Sequence, residues 1–375
     1  MNFGFNEEQE QLRAQVRRFL DHRCPIEEVR RVMAAPEGFS RELWGEVAAL
    51  GWLGLTVPEA YGGTGLQWID LVVVLEETGR SLFPSPLISN ALATSAIVEY
   101  GSEAQKSRWL PLLARGERIG TLAILEADAM MPAGGTGLRG VPDGDGFTLT
   151  GEKRFVNDPE AADIFIVSFR RGDGADDVGL AVVAADNAGV VAKHYPMIDA
   201  TKRQGIVTFA GVRVGADEIL DCAGGVSAAI TRLFDAGAIA VTAEMAGAVD
   251  AAIRMTVEYV NQRVQFDRPI GQFQGVKHPL AEMYVDLESF KSLLYYAAWS
   301  YDHSREEVSR YASLAKAYAT ESFVRTGVDS IQLHGAIGFS TACDIQLYFK
   351  RSKWARPAYG DAATHYERAL ALRGV

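Results

Sequence analysis

Cysteine is scarce: three residues among 375, at Cys24, Cys222 and Cys343. Their number is odd and their spacing wide, which excludes a disulfide framework and a Cys-x-x-Cys metal site and points to a reducing cytoplasm. Positive charge is in short supply. Lys and Arg number 37 against 48 Asp and Glu, for a net charge of −11. A general nucleic-acid binder or a binder of anionic membranes needs a basic field, so both are excluded, while a local basic pocket is not. No run of apolar residues is long enough to span a bilayer. The first ten residues lack the basic and apolar regions of a secretory signal. The six histidines show no metal spacing. The run Gly134-Gly135-Thr136-Gly137 matches no P-loop, and no GxGxxG leads a strand into a helix, which argues against a Rossmann dehydrogenase. What remains is ordinary for a globular chain, with 48% hydrophobic and 23% charged residues. A chain this long exceeds what one core supports, so two or three modules are expected.

Three blocks follow one another. Residues 1–119 read as helical. Asn6 is the expected N-cap, with Gln9 as its capping-box partner, and Leu12, Val16, Phe19 and Leu20 then repeat at helical spacing. Trp52 to Pro58 is an apolar run that ends in a glycine-rich loop; Ile69 to Leu75 and Gln105 to Leu113 read as further helices. Residues 120–222 are much richer in glycine. Phe147 to Thr150, Ile164 to Phe169, Leu180 to Ala184 and Ile206 to Phe209 are short apolar runs between turn residues, the pattern of a small antiparallel β domain. Residues 223–375 return to helix, over Val226 to Gln262, Leu280 to Tyr301 and Ala312 to Leu333. Helices, strands, then helices again imply an α+β architecture with segregated domains.

Five segments in this order resemble the acyl-CoA dehydrogenases. They are Trp52 to Leu66, Leu75 to Arg80, Gly101 to Glu117, Arg263 to Gln274 and Gln332 to Phe339. The resemblance covers the whole chain. It implies a helical N-terminal domain, a β-barrel-like middle domain and a C-terminal four-helix bundle. It implies FAD in the cleft between the last two domains, with a neighbouring subunit gripping the cofactor's adenine-diphosphate end. An acyl-CoA substrate, an electron-transferring flavoprotein as acceptor, and a homodimer, tetramer or paired subunit follow from the same likeness.

The residues carried over make physical sense. A pyrophosphate needs a cation, and a planar guanidinium grips phosphate oxygens in a fork, so Arg263 is the candidate. Phe266 would pack on the cofactor, and Gln274 and Gln332 would bond ribose or adenine edges. Gly335 and Gly338 would allow close backbone approach. Ala336 and Asp267 stand where the family usually has glycine; Arg268 offsets the charge of Asp267. In the middle domain Glu126 is the residue that lines up with the family's flavin-facing segment, within Leu125 to Met131. Phe155 stands where a tryptophan commonly covers the flavin; its alternative is a buried strand aromatic. The segment Pro196 to Arg203 also matches, as scaffold.

The family's base is absent. A carboxylate must take the α-proton of the thioester. Near the C-terminus the triplet reads Ala358-Tyr359-Gly360, so Tyr359 occupies the base position. The second position used in the family falls on Gly237 by an ungapped count from Arg263. Asp361, two residues past Tyr359, is a displaced candidate, with an N-cap as its alternative. Glu244 is another, with a bundle ion pair as its alternative. These features leave four readings: a dehydrogenase with a displaced base, one subunit of an α2β2 dehydrogenase whose sister chain carries the base, a flavin-dependent monooxygenase on the same fold, and a catalytically silent flavin-binding subunit.

Overall fold

A computed structural model describes residues 5–126, 136–174 and 177–374. Along the chain run α1 (Glu7–Arg23), α2 (Ile26–Met33), α3 (Arg41–Ala49), α4 (Trp68–Arg80), α5 (Leu87–Tyr100) and α6 (Glu103–Ala114). Seven strands follow: β1 (Gly120–Ala123), β2 (Arg139–Asp143), β3 (Gly146–Asn157), β4 (Ile164–Arg170), β5 (Val178–Ala184), β6 (Val190–His194) and β7 (Gln204–Val214). Then come α7 (Val226–Gln262), the hairpin β8 (Val264–Gln265) and β9 (Arg268–Pro269), α8 (Gln274–His303), α9 (Arg305–His334), α10 (Ile345–Ala355) and α11 (Ala362–Ala371). The helix–strand–helix order is that of the expected α+β fold, with strands beginning at Gly120 and helix resuming at Val226. Two compact units form. One comprises 1–31, 68–83 and 238–375, the other 32–67 and 84–237.

In the first unit, α1 starts as its sequence dictates, with the Asn6 side chain accepting from Gln9 N–H at 2.8 Å and Gln9 Oε1 accepting from Asn6 N–H at 3.1 Å. Its face packs on α4 through Val16 and Leu20, both fully buried. Charge completes that contact: Arg13 Nη2 lies 2.7 Å from Glu76 Oε2, and Arg17 holds Glu77 through two bonds of 3.0 and 2.7 Å. The α4 and α7 backbones cross closely. A Cβ on Gly79 would stand 2.0 Å from the Glu244 carbonyl oxygen, and one on Gly247 would stand 1.7 Å from that of Glu76. The start of α4 is capped from α8, where Asp302 Oδ2 accepts the Trp68 N–H at 2.8 Å. α7 has the length and composition to cross a membrane, but 94% of its most apolar window is buried.

The second unit is built on a sheet ordered β1-β4-β2-β3-β7-β6, with β5 also on β4. Leu149, Phe165, Val167, Phe169, Val207 and Phe209 fill its core. The expected antiparallel pattern is corrected at two places: β1 runs parallel to β4, Gly120 opposite Ile164 through Ala123 opposite Val167, and β2 meets β4 in parallel where Arg139 stands opposite Arg170. A buried four-residue strand carries no alternation from which a partner's direction could be read. The start of α8 also differs from the expected Leu280. It begins at Gln274 and carries Pro279 inside it, so the proline marked no boundary here.

Candidate active site

Arg263 closes the C-terminal end of α7, its N–H donating to the Tyr259 carbonyl at 2.8 Å. The β8–β9 hairpin pairs Val264 with Pro269 and Gln265 with Arg268, leaving Phe266 and Asp267 as its two-residue turn. Both have positive φ, 54° and 62°. Tight hairpins demand that conformation because it matches strand twist, which is why glycine is usual there. Asp is one of the few other residues that enter the left-handed region readily, so Asp267 is accommodated in the turn. The turn throws the Phe266 ring outward, 85% exposed. The Arg268 guanidinium stacks on the Phe273 ring, 4.1 Å from its centroid.

The second segment expected to meet the cofactor is the end of α9. His334 is buried; its Nδ1 donates to the Ser330 carbonyl at 2.8 Å, and its ring stacks on Tyr259 with centroids 4.4 Å apart. Burial holds this imidazole below its usual pKa. Gly335 then takes φ 65°, and an added Cβ there would meet open space. Gly338 differs: a Cβ would come within 2.8 Å of the Ile331 carbonyl oxygen, so it serves the fold-back of this turn onto α9.

These two segments enclose an open cavity of about 450 Å³ whose walls include Arg263, Gln332, Gly335 and Ala336. Phe266, Gln274 and Gly338 are not among its walls. Among the described residues, the side chains of Arg263 and Gln332 have no hydrogen-bond or ion-pair partner. An unengaged guanidinium, an unengaged amide and a glycine with open space above it fit a phosphate-bearing nucleotide such as FAD.

In the other unit, Phe155 lies where the β3–β7 register shifts between Lys153 and Val156. Its φ is 54° and its side chain is 45% exposed. A bulge with a strained aromatic re-aims the side chain out of the strand face, so the buried-aromatic alternative does not hold. Tyr195 fixes the bulge: its Oη accepts the Phe155 N–H at 3.1 Å and donates to the Gly205 carbonyl at 3.2 Å. Glu126 is taken up within the protein. Its two oxygens accept from Gly137 N–H at 2.7 Å, Leu138 N–H at 3.0 Å and Lys153 Nζ at 2.5 Å. Lys153 is fully buried and also donates to Ser168 Oγ at 2.9 Å; burial pushes its pKa down to about 8 against the pull of Glu126. The rest of the flavin-facing segment, Ala127 to Met131, lies outside the described residues.

At the base position Tyr359 is buried, in the left-handed region with φ 52°, and its carbonyl accepts from His365 Nε2 at 2.7 Å. Gly237 is buried within α7. Asp361 is the N-cap of α11, accepting the Thr364 N–H at 2.9 Å, and that hydrogen bond holds its carboxyl below the ordinary range. Glu244 pairs with Arg351 at 3.2 Å, both side chains buried. Sequence inspection missed Lys316, Lys153 and Arg351 as buried cations. For Lys316 a signal existed: it shares a helix face with Ala312, Ala319, Thr320 and Phe323, all buried, where a solvated lysine has no place.

Residues 6–117 match the acyl-CoA dehydrogenase N-terminal domain, and residues 223–371 match the acyl-CoA dehydrogenase C-terminal domain. The acyl-CoA dehydrogenase IpdE2 of Mycolicibacterium smegmatis is 31% identical, over 92% of this chain and 93% of that one. The chain belongs to the acyl-CoA dehydrogenase family. It is therefore a flavoprotein oxidoreductase acting on the CH–CH bond of an acyl-CoA, with FAD as cofactor. Among solved structures, a variant of the Tcur3481-Tcur3483 steroid ACAD superposes with a TM-score of 0.89 at 31% identity, covering 98% of each chain. The ChsE4-ChsE5 complex from Mycobacterium tuberculosis gives a TM-score of 0.92 at 27% identity, covering 100% of this chain and 99% of that one.

Proposed function

We propose that this chain is the base-free, FAD-holding subunit of a heteromeric acyl-CoA dehydrogenase, and that a sister chain supplies the carboxylate. The observation that carries this reading is at the base position. A buried tyrosine stands there, and the two candidate carboxylates are engaged otherwise, Asp361 as a helix cap and Glu244 in an ion pair. A phenol, with a reference pKa of about 10, stays protonated at neutral pH and cannot take an α-proton. A cap-lowered carboxylate is a weaker base than an ordinary one, and a buried paired one that took a proton would leave its partner's charge uncompensated. One of the similar structures is the ChsE4-ChsE5 complex and another carries the paired name Tcur3481-Tcur3483, which supports the paired arrangement.

In this reading Arg263 grips the cofactor's pyrophosphate, Gln332 bonds a ribose or adenine edge, and Gly335 admits the backbone. When bound, FAD supplies the acceptor for the β-hydride. The substrate class is a bulky acyl-CoA of the steroid side-chain kind, and an electron-transferring flavoprotein takes the electrons onward. The compartment is the cytoplasm, in keeping with three free cysteines.

The test compares the chain alone with the chain co-expressed beside an acyl-CoA dehydrogenase that retains the base glutamate. Each preparation is titrated anaerobically with a steroid side-chain CoA thioester while flavin absorption is followed. Bleaching only in the co-expressed preparation, and undiminished by Asp361→Asn, is expected. Bleaching by the lone chain that Asp361→Asn abolishes would replace this reading with a displaced base.

A further inference from the structure

Lys316 lies in the middle of α9 and is 0% exposed. Burying an ammonium carries a penalty of several kcal/mol unless its protons are all bonded. Here Nζ stands 2.8 Å from the Gly360 carbonyl oxygen, 3.1 Å from that of Ala355, 3.2 Å from that of Arg356 and 3.0 Å from Thr320 Oγ1. Two of those carbonyls end α10, where helix geometry leaves them without an intrahelical donor. The third lies across the connection, immediately after Tyr359. The lysine thus binds both sides of the loop that carries the residue at the base position. Inside that loop every turn is also determined. Tyr359 has φ 52° and Gly360 φ 92°. The Tyr359 carbonyl receives His365 Nε2, and Asp361 fixes the first turn of α11. The Asp361 charge also supports the ammonium electrostatically.

We propose that Lys316 is a positioning residue: by clamping three carbonyls of the α10–α11 connection it fixes the orientation of the side chain at position 359. In this chain the clamp holds the Tyr359 ring as a rigid wall. This rests on the dehydrogenase reading only for calling position 359 the base position; the clamp itself is a property of the chain.

The test uses the full-length chain with FAD and its sister chain, with the chain's 13 tyrosines replaced by 3-fluorotyrosine. Tyr359→Phe assigns the Tyr359 fluorine signal. One sharp signal is expected in the parent protein. In Lys316→Met it should broaden or split while the signals of tyrosines remote from the loop stay in place and flavin absorption is retained. Should Lys316→Met not fold, Thr320→Val removes one of the four contacts and should shift the same signal to a smaller extent. An unmoved Tyr359 signal in a folded variant, or all tyrosine signals moving together, would overturn the proposal. Loss of flavin or of bleaching bears on the proposed function instead, and the fluorine signal separates the two.

Discussion

Asp361 shows how one side chain serves two opposed roles on paper and one in the fold. As the cap of α11 it accepts a backbone N–H, so Asp361→Ala should destabilise the chain by about 0.5–2 kcal/mol, while Asp361→Asn keeps the cap and changes little at acidic pH. Because the folded-state pKa is lowered, the carboxylate's extra contribution is present above the unfolded value of about 3.9 and fades as pH falls through the folded value. The stability difference between the parent chain and Asp361→Asn in urea should therefore shrink from pH 7 to pH 3. A constant difference would deny the carboxylate that role. Arg263 makes the second residue-scale prediction. Lysine is a point charge without the planar fork, and a hydrogen bond to a charged group contributes about 1.5–3 kcal/mol. Arg263→Lys should weaken FAD binding roughly tenfold to a hundredfold by fluorescence titration. Arg263 and Tyr359 were legible in the sequence because their neighbours form long segments in order. For Lys316 the sequence carried only its place on an apolar helix face; three of its four partners are backbone carbonyls, and no residue type announces those.

At the scale of elements, legibility followed local chemistry. The capping box at Asn6 and Gln9 and the unbroken run from Val226 to Gln262 announced α1 and α7 at the right residues. The parallel pairing of β1 with β4 and the cap of α4 by Asp302 depend on segments far away in sequence, so no local pattern carries them. The α4–α7 crossing is the same kind of information, held in two glycines. Helix propensity alone says that Gly→Ala should stabilise each helix by about 1 kcal/mol. Contact geometry says the reverse, since each new methyl carbon would fall at about half of van der Waals distance from a carbonyl oxygen on the facing helix. Backbone cannot move aside as a flexible side chain does, and overpacking typically costs 1–3 kcal/mol, occasionally more. Gly79→Ala and Gly247→Ala should each lower stability in urea by about that amount or more. A gain in either would show that the helices separate without loss.

At the scale of the whole molecule, the proposed assembly puts a partner against the face that carries Arg263. The unit that carries Arg263 leaves the Phe266 ring 85% and the Phe339 ring 77% exposed. Each flanks one of the two segments that form the cavity, so a partner that reaches the far end of a bound nucleotide there would also cover these rings. The proposed assembly therefore predicts that they are contact residues, and burying a phenylalanine contributes about 1.5–3 kcal/mol. Phe266→Ser and Phe339→Ser should each weaken assembly roughly tenfold to a hundredfold by sedimentation. The lone chain's fold should be untouched, because neither ring is packed in its core. Where assembly and cofactor binding are linked, the same variants should also bind FAD more weakly at low protein concentration and recover at high concentration, as mass action requires. A FAD affinity lowered equally at every concentration would mean that the rings touch the cofactor directly. Assembly unchanged in both variants would place the subunit contact on another face.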